Sequence, residues 1–111
     1  MAQAVFVHDG CSIDHTPVAD VAAGEVVVQG DLIGVAKRPI AANTPGALAV
    51  TGVFDFAKAA GGGTALATGA PAYWDNAAKV ATATAAGNKL LGKVAAAAAD
   101  ADTMVRVRMS P

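Results

Sequence analysis

Five side chains able to bind a metal or take part in nucleophilic attack fall within one short stretch: His8, Asp9, Cys11, Asp14 and His15. Imidazole, thiolate and carboxylate are the ligand types that zinc accepts. A closed structural site needs four converging ligands, however, and this spacing fits none of the usual Cys/His patterns. Cys11 and His15 also make a nucleophile and base on paper. No third group of clear identity orients the imidazole, and both histidines of the chain lie in this one stretch. The segment reads better as a polar surface arm with no metal, cofactor or catalytic residue assigned to it.

The remaining reactive groups are scattered. Gly61-Gly62-Gly63-Thr64 lacks the lysine of a phosphate-binding loop, and no G-x-G-x-x-G run occurs. A flexible turn is the simpler reading. Paired carboxylates can hydrolyse glycosides, but nothing brings Asp55 and Asp75 together, and both read as strand or turn residues. Tyr73-Trp74 offers a stacking platform for a sugar or a base. In a chain with three Phe, one Tyr and one Trp, Trp74 reads first as a core anchor. Neighbours in a strand face opposite ways, so one of the two enters the core. The other suits a subunit interface, where Tyr and Trp are enriched. Arg106 and Arg108 read as the wet face of a strand, with contact to an acidic partner as the sharper alternative.

The elements behind these residues are short and β-branched. A length of 111 residues suits one domain. The apolar share of 54% is inflated by alanine, which buries little per residue. The net charge of −1 with no basic stripe argues against nucleic acid as a partner. No unbroken apolar run is long enough to span a membrane, and no basic n-region with an apolar h-region opens the chain. The single cysteine excludes an internal disulfide and fits a cytosolic origin.

Ala4 to His8 has the composition of a first strand, followed by a loop or extended arm over Asp9 to Pro17. Glu25 to Gln29 and Leu32 to Lys37 flank a Gly30-Asp31 turn. Gly34 inside the second of these points to a bulge or a close backbone approach. After the Pro45-Gly46 turn, Leu48 to Val50 and Val53 to Ala57 follow, with Leu48, Val50, Phe54 and Phe56 on one parity and Gly52 as a bend. Further strands are Pro71 to Asp75, Val80 to Thr84, and Lys89 to Ala96 interrupted by Gly92. The Ala95 to Ala99 run has helical propensity but is too short to stand alone, so it reads as a strand end and turn. Thr103 to Met109 alternates Val105, Val107 and Met109 with the two arginines. About nine short strands imply an all-β sandwich or small barrel. The expected organisation is an arm with a first short strand over 1–17 and a β domain over 18–111.

Five of these phrases, in order, resemble the small capsid decoration, or cement, proteins of tailed bacteriophages. They are Gly30-Asp31-Leu32-Ile33-Gly34-Val35-Ala36, Val50 to Lys58, Gly69-Ala70-Pro71-Ala72-Tyr73-Trp74-Asp75, Asn88 to Ala95, and Val105-Arg106-Val107-Arg108-Met109. Ala70-Pro71 stands where the family pattern usually has Gly-Asp, a change confined to a turn. The first seventeen residues match least. The resemblance implies a non-enzymatic virion protein, made in the host cytoplasm, that sits on the outer surface of the phage head. It would brace junctions between capsomers. Its implied partners are the major capsid protein and itself, as a homodimer or homotrimer. A recombinase-like label attached to some relatives has no ATP-binding motif here to support it.

On physical grounds the polar, poorly patterned arm Ala2 to Thr16 is the expected shell-contacting segment. Gln3, Val5, Val7, Asp9, Ser12 and Asp14 are its candidate contacts. Phe54, Phe56, Tyr73, Trp74, Arg106 and Arg108 are candidates for an oligomer interface or for core anchors. The alternatives are a β-sandwich module binding carbohydrate or a host surface through Tyr73 or Trp74, and another virion subunit from the tail or baseplate.

Overall fold

The computed structural model describes residues 3–7 and 10–109. Among them there are nine strands and no helix. The strands are β1 (Ser12–His15), β2 (Val26–Gln29), β3 (Leu32–Val35), β4 (Gly46–Ala49), β5 (Gly52–Ala57), β6 (Pro71–Asp75), β7 (Val80–Thr82), β8 (Lys89–Ala96) and β9 (Met104–Met109). They form two antiparallel sheets, one of order β1-β4-β3-β2 and one of order β5-β9-β8-β6-β7. The all-β expectation holds, and the arrangement is that of a sandwich.

The β2–β3 hairpin is the hinge of the packing. Gln29 pairs with Leu32 across the Gly30-Asp31 turn, and Gly30 supplies the positive φ of 60° that a tight hairpin turn needs at its first position. Ile33 and Val35 are buried in the main core with Val26 and Val28 packed against it. Ala36 is buried in a second, smaller core with Val21, Ile40 and Leu48, against which Val27 and Ile13 pack. Alternate residues of the hairpin thus serve two cores, which is why β3 lacks a wet face. The close approach expected at Gly34 is present. A Cβ there would lie 2.8 Å from the Cβ of Leu48, so only glycine lets β4 cross so near. The four-stranded sheet coils strongly enough for the side chain of Gln29 on β2 to donate to His15 Nδ1 on β1, although these are its outer strands.

The chain changes sheets at Thr51-Gly52, where Gly52 takes a φ of 126°. Leu48, Val50 and Phe56 are buried and Phe54 is half-buried, as their shared parity requires. They nevertheless divide between cores, Leu48 in the small one and the two phenylalanines at the large one. In the five-stranded sheet Val105, Val107 and Met109 face inward and Arg106 and Arg108 outward. Phe54 lies opposite Val107, and Phe56 opposite Val105. β8 breaks simple alternation because its register shifts twice, past Leu91 against β6 and past Ala95 against β9. The first of these bulges brings Leu91 and Val94 to the same core despite their odd spacing. At Gly92 any Cβ would run into the carbonyl of Arg108. The sheet also coils, and its outer strands β5 and β7 approach at a parallel bridge between Lys58 and Ala81.

Two boundaries differ from expectation at the N-terminal end. Ala4 to Val7 form no strand, and His8 lies outside the described residues. The first strand is instead Ser12–His15, inside the stretch read as loop, and it pairs with β4 from Ser12–Ala49 to His15–Gly46. The reason is tertiary. Ile13 packs against the small core and β4 offers a free edge, whereas Ala4 to Val7 have no partner strand. The Ala95 to Ala99 run is a strand end followed by a bridge from Ala98 to Leu66, not a helix.

Candidate functional site

The tip of the arm is open to solvent. Val5, Phe6 and Val7 are 79%, 81% and 83% exposed, three consecutive apolar side chains in solvent. Full burial of one such side chain is worth about 1.5–3 kcal/mol, so this segment gains on contact with another surface. Gln3 is exposed beside them. Asp9 lies outside the described residues. Ser12 and Asp14 are exposed on β1, opposite Ala49 and Ala47. The candidate contacts therefore fall into two groups, an extended apolar tip and the outward side of an outer strand. The alternating set Gln3, Val5 and Val7 omits Phe6. With no strand formed there, Phe6 is as available as its neighbours.

The aromatic candidates line up from the rim of the main core inward. Phe54 and Phe56 meet edge to face with centroids 6.1 Å apart, and Phe56 lies 6.0 Å from Trp74. Trp74 is 4% exposed, and its indole N–H donates to Asn76 Oδ1 at 3.3 Å. It is a core anchor and presents no open stacking face. Tyr73, pointing the other way, is half-buried between Leu90 and Thr82. A cleft of about 440 Å³ opens between the sheets beside these rings, with Val26, Val35, Phe54 and Trp74 in its wall and Glu25 and Lys79 beside them.

Arg106 and Arg108 differ sharply in their surroundings. Arg106 lies opposite Asp55 and donates through Nε and Nη2 to its two carboxylate oxygens, at 2.9 and 3.2 Å. That hydrogen-bonded guanidinium holds the Asp55 carboxyl below its ordinary range, and the carboxylate raises Arg106 in turn. Arg108 lies opposite Val53 on one side and Lys93 on the other. Among the described residues it meets no carboxylate.

Lys58 was not expected to matter and is the one buried charged side chain among the described residues, 4% exposed. Its Nζ donates to the Ala59 carbonyl (2.9 Å), the Thr64 hydroxyl (3.0 Å) and the Asp102 carbonyl (3.2 Å). Its parity was the available signal, since residues 54, 56 and 58 point the same way along β5 and the bridge beyond it. The Asp100 carboxylate accepts from the amides of Thr64 and Ala65 at 3.1 and 2.8 Å. The amides at the end of the glycine loop therefore already hold an internal anion. This is a structural staple between the β5–β6 and β8–β9 connections.

Among the described residues no three His, Cys, Asp or Glu side chains gather to hold a metal ion. Cys11 is exposed, and His15 is engaged by Gln29. What the fold displays outward is an apolar arm tip, an outer strand and a charged outer sheet face. The sequence profile of the phage cement proteins matches residues 7–109. The chain belongs to the phage cement protein family. Membership makes it a virion structural protein associated with the phage capsid. No curated protein and no solved structure matches the chain.

Proposed function

We propose that this cement protein is a non-enzymatic brace that binds the outside of the phage head and reinforces contacts between capsomers of the major capsid protein. The observation that carries the reading is the exposed Val5-Phe6-Val7 tip, on a chain whose family match runs nearly end to end. Synthesis in the host cytoplasm, assembly as a homodimer or homotrimer, and division into an arm over 1–17 and a β domain over 18–111 complete it. The arm, through Gln3, Val5, Val7, Asp9, Ser12 and Asp14, is the shell-contacting part. Repeated attachment at symmetric sites turns weak individual contacts into firm retention.

Deletion of residues 2–7 is the direct test of the arm. The shortened protein is expected to stay folded and to lose co-sedimentation with expanded shells. Undiminished binding by the shortened protein would remove the arm from the interface. The carbohydrate-binding alternative is the weaker one, because Trp74 is buried against Phe56 and Tyr73 is half-buried.

A further inference from the structure

The outer face of the five-stranded sheet carries an unbalanced charge. Val53, Arg108, Lys93 and Pro71 stand in one row across β5, β9, β8 and β6. Arg108 and Lys93 are directly opposite each other, and both are exposed. Like charges at directly opposed positions destabilise a sheet. Two residues along β9, the same sheet places Asp55 against Arg106 and makes a two-pronged ion pair. The position facing Arg108 on β5 carries Val53 instead, 56% exposed. No described carboxylate reaches either cation of the opposed pair. Val53 and Pro71 at the two ends of the row add apolar surface, which suits a protein partner better than a bare phosphate chain.

We infer that the Lys93–Arg108 row is a docking surface for carboxylate side chains of the shell protein, which supply the counter-charge that the described residues do not. This rests on the reading of the chain as a shell-binding brace. The pair costs stability in the free protein and is relieved on docking.

The experiment compares wild type, Lys93→Gln, Arg108→Gln and the charge-swapped Lys93→Glu, with Lys37→Gln as a control cation elsewhere on the surface. Thermal unfolding of the free proteins is expected to show each of the first three variants more stable than wild type by about 1–5 °C at low salt, with the gain shrinking as salt screens it. Binding to expanded shells is expected to weaken by about tenfold or more in the same variants and to become less salt-dependent. Lys37→Gln should change neither. Variants that bind shells as tightly as wild type, with the same salt dependence, would overturn the inference while leaving the bracing role intact. Failure of wild type itself to bind any shell would overturn that role and this surface together. Retention of wild type on duplex DNA at physiological salt, lost in Arg108→Gln, would replace the carboxylate partner with phosphate.

Discussion

Lys58 shows how a single residue can organise two connections. Its Nζ satisfies a hydroxyl and carbonyls of segments far apart in sequence, and a buried polar group left unpaired costs about 1–3 kcal/mol. Lys58→Met keeps the apolar stem and removes the donor. It is expected to lower stability by about that amount and to speed amide exchange at Gly61 and Thr64, whose neighbours the staple holds. Gly34 and Gly92 are set by approach distance. Gly34→Ala forces a methyl against the Leu48 Cβ, which is not the mobile end of that side chain. Overpacking of this kind costs about 1–3 kcal/mol, measurable by urea unfolding, and Gly92→Ala is expected to cost more because it meets backbone. Asp55 supplies part of the acid-range pH dependence, beside Asp31, which Lys89 also holds low. The Asp55 carboxyl is held low chiefly by the hydrogen bond from Arg106, so the pair's contribution is present above the ordinary aspartate value of 3.8 and is lost as pH falls below it. Asp55→Asn should flatten that part of an acid-unfolding profile and leave neutral-pH folding intact. An unchanged acid limb would show the ion pair to be energetically idle.

The elements divide into those whose sequence carries its own instruction and those that depend on a neighbour. Pro71–Asp75 and Lys89–Ala96 form with the bounds their flanking turns mark out, and β9 follows its Val/Arg alternation. β1 does not announce itself, because Ser12, Asp14 and His15 are polar and only Ile13 is apolar. Its strand conformation comes from β4. Conversely, Ala4 to Val7 have strand composition and no partner. The close approach at β3 was legible in the glycine inside Leu32-Ile33-Gly34-Val35-Ala36. The partner in that approach, Leu48, could not be read from spacing. The inward face of Lys58 follows from the parity of Phe54 and Phe56, yet the loops that receive its amine become neighbours only through the fold. What was legible in kind is an all-β domain of the phage cement family. The unequal fates of Arg106 and Arg108 depend on register against β5 and β8, which no local pattern records. A consequence at this scale is that the arm has two parts. Deletion of residues 2–9 should leave the unfolding midpoint close to wild type. Deletion through Thr16 removes β1 and uncovers the small core around Leu48, and a drop of several degrees is expected by calorimetry. Equal midpoints for the two deletions would mean that β1 adds nothing to the fold.

The whole molecule is a thin, elongated body of 51 × 35 × 23 Å. Its radius of gyration of 15.0 Å exceeds the about 13 Å of a compact chain this long, in keeping with an arm that stands off the domain. Its inner faces are spent on two cores, a larger one built round Phe56 and Trp74 and a smaller one of aliphatic side chains. Three exposed features suit partners: an apolar tip, an outer strand with Ser12 and Asp14, and the opposed Lys93 and Arg108, which meet no carboxylate among the described residues. A brace on a symmetric shell needs several modest surfaces of this kind, because attachment at many equivalent points supplies the retention. The most direct test of that account is co-sedimentation of the purified protein with shells of its own phage, before and after expansion. The account predicts saturable binding to expanded shells at a fixed ratio to the major capsid protein. Absence of binding to either form would contradict it.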